Sequence, residues 1–88
     1  MPEFSLHLVQ AIVTEVLPAT NHRAKRIRAR AAVRSIIYPY DHGLNTEENH
    51  VVAHGAFCRA MQWKDAALWV PGGTPDGDVV WVLPPSKA

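Results

Sequence analysis

Apolar residues recur along this chain first with the period of a strand, then with that of a helix, then with that of a strand again. Ser5 to Leu17 carries Leu6, Leu8, Val9, Ile12, Val13, Val16 and Leu17, rich in β-branched residues and closed by Pro18, which predicts a first strand. Pro18 to His22 forms a polar connection. Lys25 to Val33 admits either a strand or an Ala-rich helix. Period two places Ile27, Ala29, Ala31 and Val33 on one face and Arg26, Arg28, Arg30 and Arg34 on the other, an alternation that selects the strand. Ser35 to Tyr40 reads as a third strand, with Pro39 marking an edge or an exit.

The period then lengthens. Asp41 to Leu44 makes a turn, Asn45 is a good N-cap, and Glu48 three residues on stands in capping-box position. Glu47 and Glu48 suit the positive end of the helix dipole, and Val51, His54, Cys58 and Met61, with Phe57 beside them, form a stripe expected to face the sheet. The helix is expected to end near Gln62 or Trp63. Ala66 to Val70 and Val79 to Leu83 read as two last strands, joined by the Pro71 to Asp78 loop. The order β-β-β-α-β-β predicts an α+β fold: a small antiparallel or mixed sheet of four to five strands with one helix on one face. No repeat, low-complexity tract or linker divides residues 1–88, which read as a single domain.

Size sharpens this picture. A chain of 88 residues buries only about 60 to 65% of its unfolded surface, so its core is thin. Apolar residues at 48%, three Trp and 19% charged residues nevertheless describe a folded domain rather than a basic tail. Cys58 is the only cysteine, which leaves no internal disulfide and suits a reducing compartment. The start, Met1-Pro2-Glu3-Phe4, lacks the pattern of a signal segment, and no apolar run reaches the roughly 18 residues of a membrane span. The expectation is a soluble cytoplasmic protein with no membrane association, a monomer or weak homodimer.

Charge adds a candidate function. Six of the nine cations, Arg23, Lys25, Arg26, Arg28, Arg30 and Arg34, lie within twelve residues, and no carboxylate occurs between Glu15 and Asp41, although the chain's formal charge is only +1. On a strand, alternate cations repeat at roughly 6.6 Å, close to the phosphate spacing of one nucleic-acid strand, and arginine can grip phosphate bidentately. These six residues are the candidate nucleic-acid-binding set, with DNA or RNA as the partner. The competing reading is a solvated or protein-facing sheet surface, since arginine stems also cover apolar area. Tyr38 and Tyr40 are near enough to stack on bases, though strand aromatics more often fill cores.

No catalytic, metal or cofactor set emerges. His50, His54 and Cys58 follow at i, i+4 steps, but His50 and Cys58 are about 12 Å apart along a helix, too far for one zinc, so at most one adjacent pair could share an ion. Asp41 and His42 could join only if their turn folded back over the helix. Cys58 falls on the apolar stripe, where burial raises a thiol pKa and hides the nucleophile. Asp76 and Asp78 flank Gly77 as turn residues do.

Two segments, Thr20-Asn21-His22-Arg23 with Arg26-Ile27, and Pro39-Tyr40-Asp41-His42-Gly43-Leu44-Asn45-Thr46-Glu47-Glu48-Asn49-His50, together with Gly72-Gly73-Thr74-Pro75-Asp76-Gly77, resemble a family of small uncharacterised bacterial plasmid, phage and integrated-element proteins. Where that family usually carries Arg-Gly-Ser-Arg, this chain has Arg23-Ala24-Lys25-Arg26. The resemblance implies a mobile-element setting and a compact α+β fold, and no established activity. Three function classes follow, in this order: a nucleic-acid-binding accessory protein, a protein-interaction or regulatory module, and an enzyme.

Overall fold

The computed structural model describes residues 11–32, 34–63 and 66–83. Strands β1 (Ala11–Leu17), β2 (Arg26–Ala31) and β3 (Arg34–Pro39) form a meander; helix α1 (Thr46–Ala60) then crosses one face of the sheet, and β4 (Val70–Gly73) and β5 (Val79–Val82) close it on the far side. The five strands lie in the order β3-β2-β1-β5-β4, every neighbouring pair antiparallel. The chain is thus α+β with the order β-β-β-α-β-β, and β1 is the central strand. The first-strand residues 5–10 expected ahead of Ala11, and Val33, lie outside the described residues.

Helix α1 begins as its sequence requires. Asn45 accepts the Glu48 backbone N–H at 2.8 Å, and the Glu48 carboxylate accepts the Asn45 N–H at 2.9 Å, so two otherwise orphaned donors are satisfied together. The helix ends earlier than Gln62. Met61 is the C-cap, Gln62 takes the left-handed conformation at φ 60°, and Trp63 N–H returns to the Cys58 carbonyl at 2.8 Å while Gln62 N–H reaches the Arg59 carbonyl at 3.1 Å. This is a Schellman closure with glutamine where glycine is usual, so the sequence carried no stop signal there.

The buried stripe of α1 is Asn49, His50, Ala53, His54, Phe57 and Cys58. Val51, expected on it, is 56% exposed, because it follows His50 by a 100° step and sits at the stripe's margin. Phe57 and Cys58 join Ile12, Ala29, Trp69 and Trp81 in the core, flanked by Ile36, Tyr38, Met61 and Trp63.

The expectation of a strand over Ala66 to Val70 is corrected. Ala66–Leu68 makes one 3-10 turn, Trp69 drops into the core, and the strand runs instead through Val70-Pro71-Gly72-Gly73, which the sequence reading took for loop. An edge strand tolerates proline because one row of its backbone groups needs no partner. Gly77, at φ 88°, closes the β4–β5 hairpin, its N–H bonded to the Thr74 carbonyl at 3.0 Å. Asp76 and Asp78 flank it as turn residues.

Candidate functional site

The helix covers one face of the sheet, and among the described residues no other element covers the second, the open face. Strand alternation decides which residues each face receives: Ile27 and Ala29 of β2 and Ile12 and Thr14 of β1 are buried beneath α1, and their neighbours point the other way. Register then arranges the open face in rows. Ser35, Arg30, Val13, Val80 and Gly72 form one; Ile37, Arg28 and Glu15 form the next; Pro39, Arg26 and Leu17 form a third. Arg26, Arg28 and Arg30 therefore make a ladder along β2. Beside it runs an aliphatic region, where Val70 is 55% exposed and an apolar groove of about 430 Å³ lies among Val70, Pro71, Gly72, Val80 and Val82. Across β2, Ile37 is 47% exposed.

The ladder is not the uncompensated run that its primary structure suggests. Glu15, opposite Arg28 in register, accepts from Arg28 Nε at 2.7 Å and Arg30 Nε at 3.1 Å, and its Oε1 lies 2.7 Å from Arg28 Nη2. Burial pushes the Glu15 carboxyl up, but hydrogen bonds from Arg28 and Arg30, with their charges, outweigh it and hold the group below the usual carboxylate range. Sequence reasoning missed Glu15 because it is remote from the basic segment; its odd position on β1, out of phase with Ile12 and Thr14, was the available signal.

The six candidate cations divide. Arg26, Arg28 and Arg30 share the open face, with Arg26 Nε donating to the Ala24 carbonyl at 3.0 Å. Arg23 is exposed in the β1–β2 connection, which Thr20 ties by accepting Arg23 N–H at 3.1 Å and His22 N–H at 3.4 Å. Lys25 sits over the Tyr40 ring, Nζ 4.3 Å from its centroid. Arg34, expected on the same face as the ladder, is not there. The β2–β3 turn resets the alternation, and Arg34 pairs with Ala31 on the helix-facing parity. Neither tyrosine reaches the open face: Tyr38 joins the core side, where burial raises its pKa, and Tyr40 Oη lies 3.0 Å from Thr46 Oγ1 at the start of α1.

Beneath the sheet lies a polar cluster that the sequence did not announce. Thr14 Oγ1 accepts from Trp81 Nε1 at 2.9 Å and lies 2.7 Å from His50 Nδ1 but 3.5 Å from the Val79 carbonyl. Either the hydroxyl donates to Nδ1 of a neutral His50, or it accepts from Nδ1–H and turns its own proton toward the Val79 carbonyl; in both cases the other ring nitrogen, Nε2, is buried without a protein partner among the described residues. Burial lowers the His50 pKa, against a smaller opposing effect of Asp78, which favours the neutral imidazole. His54 stacks on Trp81 at 4.1 Å, meets Trp69 edge-on at 5.4 Å, and has its pKa lowered by burial to about 4. Cys58 Sγ is 3.5 Å from His54 Nε2; burial raises the thiol pKa, keeping it protonated at neutral pH. A neutral imidazole beside a fully buried thiol is a packing element, without an exposed thiolate to attack a substrate.

Among the described residues no three His, Cys, Asp or Glu side chains converge in a way that could hold a metal ion. The Asp41 backbone engages Asn49, its N–H donating to Asn49 Oδ1 at 2.8 Å and its carbonyl accepting from Asn49 Nδ2 at 2.9 Å, while the Asp41 carboxylate accepts the Gly43 N–H at 2.9 Å. No helix of the described residues is long and apolar enough to cross a membrane. No family model, no curated protein and no solved structure matches this chain.

Proposed function

We propose that the open sheet face binds nucleic acid through its phosphates, with Arg26, Arg28 and Arg30 as the central contacts, Arg23 and Lys25 at one end, and Arg34 as an outlying cation. The observation that carries this reading is the ladder itself: three arginines on alternate residues of one strand, on the face that α1 does not cover. Glu15 tempers the charge without cancelling it. Among the described residues it sets one carboxylate against the five cations Arg23, Lys25, Arg26, Arg28 and Arg30, leaving a net of about four. The reading is tested by polarisation titration of labelled mixed-sequence oligonucleotides at about 50 mM salt. Binding is expected, with loss on simultaneous substitution of Arg26, Arg28 and Arg30 by Ser; no binding at this salt, or equal binding by the triple variant, overturns it.

The aliphatic positions on either side of the ladder, Val70 on β4 and Ile37 on β3, are exposed and favour a second reading in which a protein partner covers the sheet. Salt separates the two. Phosphate contacts weaken steeply as salt rises, whereas an interface built on valines does not.

A further inference from the structure

The open face is about 19 Å wide between the axes of its edge strands, given four spacings of roughly 4.8 Å. The major groove of B-form DNA, about 12 Å wide, admits a helix or a two-stranded ribbon but not a five-stranded sheet laid flat. Helix α1 is on the opposite side and cannot enter a groove from this face. A duplex resting here would offer only its backbone, and the aliphatic rows would meet sugars and phosphates.

Those rows adjoin the ladder directly. Arg30 is next to Val13, which is next to Val80; Arg26 is next to Leu17; Arg28 is next to Ile37. A chain with phosphates along β2 and bases turned toward β1 and β5 would set charge on charge and apolar rings on apolar side chains. Only an unpaired strand has its bases free to turn that way.

We propose that this face takes single-stranded nucleic acid, with phosphates on Arg26, Arg28 and Arg30 and bases over Val13 and Val80. The proposal rests on the polyanion reading above and narrows it to one substrate class.

The test compares three labelled 12-mers at about 50 mM salt: a thymidine strand, the same backbone without bases, and a mixed-sequence duplex. The thymidine strand is expected to bind several-fold more tightly than either of the others, through burial of thymine surface against Val13 and Val80. Exchanging both Val13 and Val80 for Thr, close in shape and suited to strands, should cost several-fold for thymidine and nothing for the baseless strand. A uridine 12-mer identifies the preferred sugar, and its excess over the baseless strand supports the proposal equally. Equal affinity for all three probes overturns the single-strand proposal and leaves phosphate binding standing. Binding to none overturns both.

Discussion

The two faces of one sheet show how differently alternate residues of the same strands are used. On the covered face, Thr14, His50, Trp81, His54 and Cys58 form a buried cluster whose members stay uncharged, because a buried charge without a partner is too costly. On the open face, residues one position away form a charged lattice of Arg26, Arg28, Arg30 and Glu15, where water pays the solvation that the core withholds. Stability is therefore concentrated under α1, the binding we propose lies above β2, and substitutions on the two faces should separate the two properties.

The largest break comes from Phe57, fully buried in the covered core. Phe57→Ala should lower unfolding free energy by about 3 to 5 kcal/mol in denaturant titrations. Molecules that remain folded should bind oligonucleotides unchanged; altered affinity of the folded fraction would join the two faces that the comparison separates.

Acid should erode the covered face first. His54 takes up its proton near pH 6.5 when unfolded but only near 4 when folded, so its contribution is whole above about pH 6.5 and is lost progressively as pH falls toward 4, a change of roughly 3 kcal/mol. His50 acts in the same direction. Glu15, whose carboxyl is lowered, loses its contribution only as pH falls below the ordinary carboxylate range. Denaturation midpoints measured from pH 7 to 4 should fall steadily, and His54→Phe should remove most of that slope. A flat profile in the parent protein would contradict the buried neutral histidine.

A smaller effect is expected at the helix end. Gln62 at φ 60° carries a left-handed backbone that glycine adopts without a Cβ conflict, so Gln62→Gly should raise stability by about 0.5 to 1 kcal/mol despite the entropy it adds to the unfolded chain. Thermal unfolding checks it, with nucleic-acid affinity unchanged.

The smallest stability effect belongs to the open face. Glu15→Gln removes a partly exposed ion pair, a loss within about 1 kcal/mol, yet it frees Arg28 and Arg30 and should raise oligonucleotide affinity several-fold. Binding that falls in this variant would mean that Glu15 positions the arginines rather than competing for them.

The same contrast explains what could be read in advance. The α+β class, the element order, the β2 alternation and the Asn45–Glu48 cap were legible because each depends on neighbours in sequence. Val51 was placed in the stripe because it repeats correctly with His54 and Cys58, and only the path of α1 across the sheet shows that its flank is left uncovered. The strand at Val70-Pro71-Gly72-Gly73 was hidden since its composition is that of a turn, and edge pairing with β5 overrides that preference. Arg34 was misplaced by carrying one period through the β2–β3 turn. Glu15 meets Arg28 only through strand register, and Thr14, His50 and Trp81 meet only when the first strand, the helix and the last strand are brought together, so neither group had a local signature.

The most direct test of phosphate recognition by the open face is the slope of log affinity against log salt for a thymidine oligonucleotide, measured from about 50 to 200 mM. A net of about four cations on the face predicts a slope near −3 for a single strand, or roughly sixtyfold weaker binding across this range, and Arg28→Ala should make the slope shallower by about one unit. A slope near zero, or one that Arg28→Ala leaves unchanged, would contradict it.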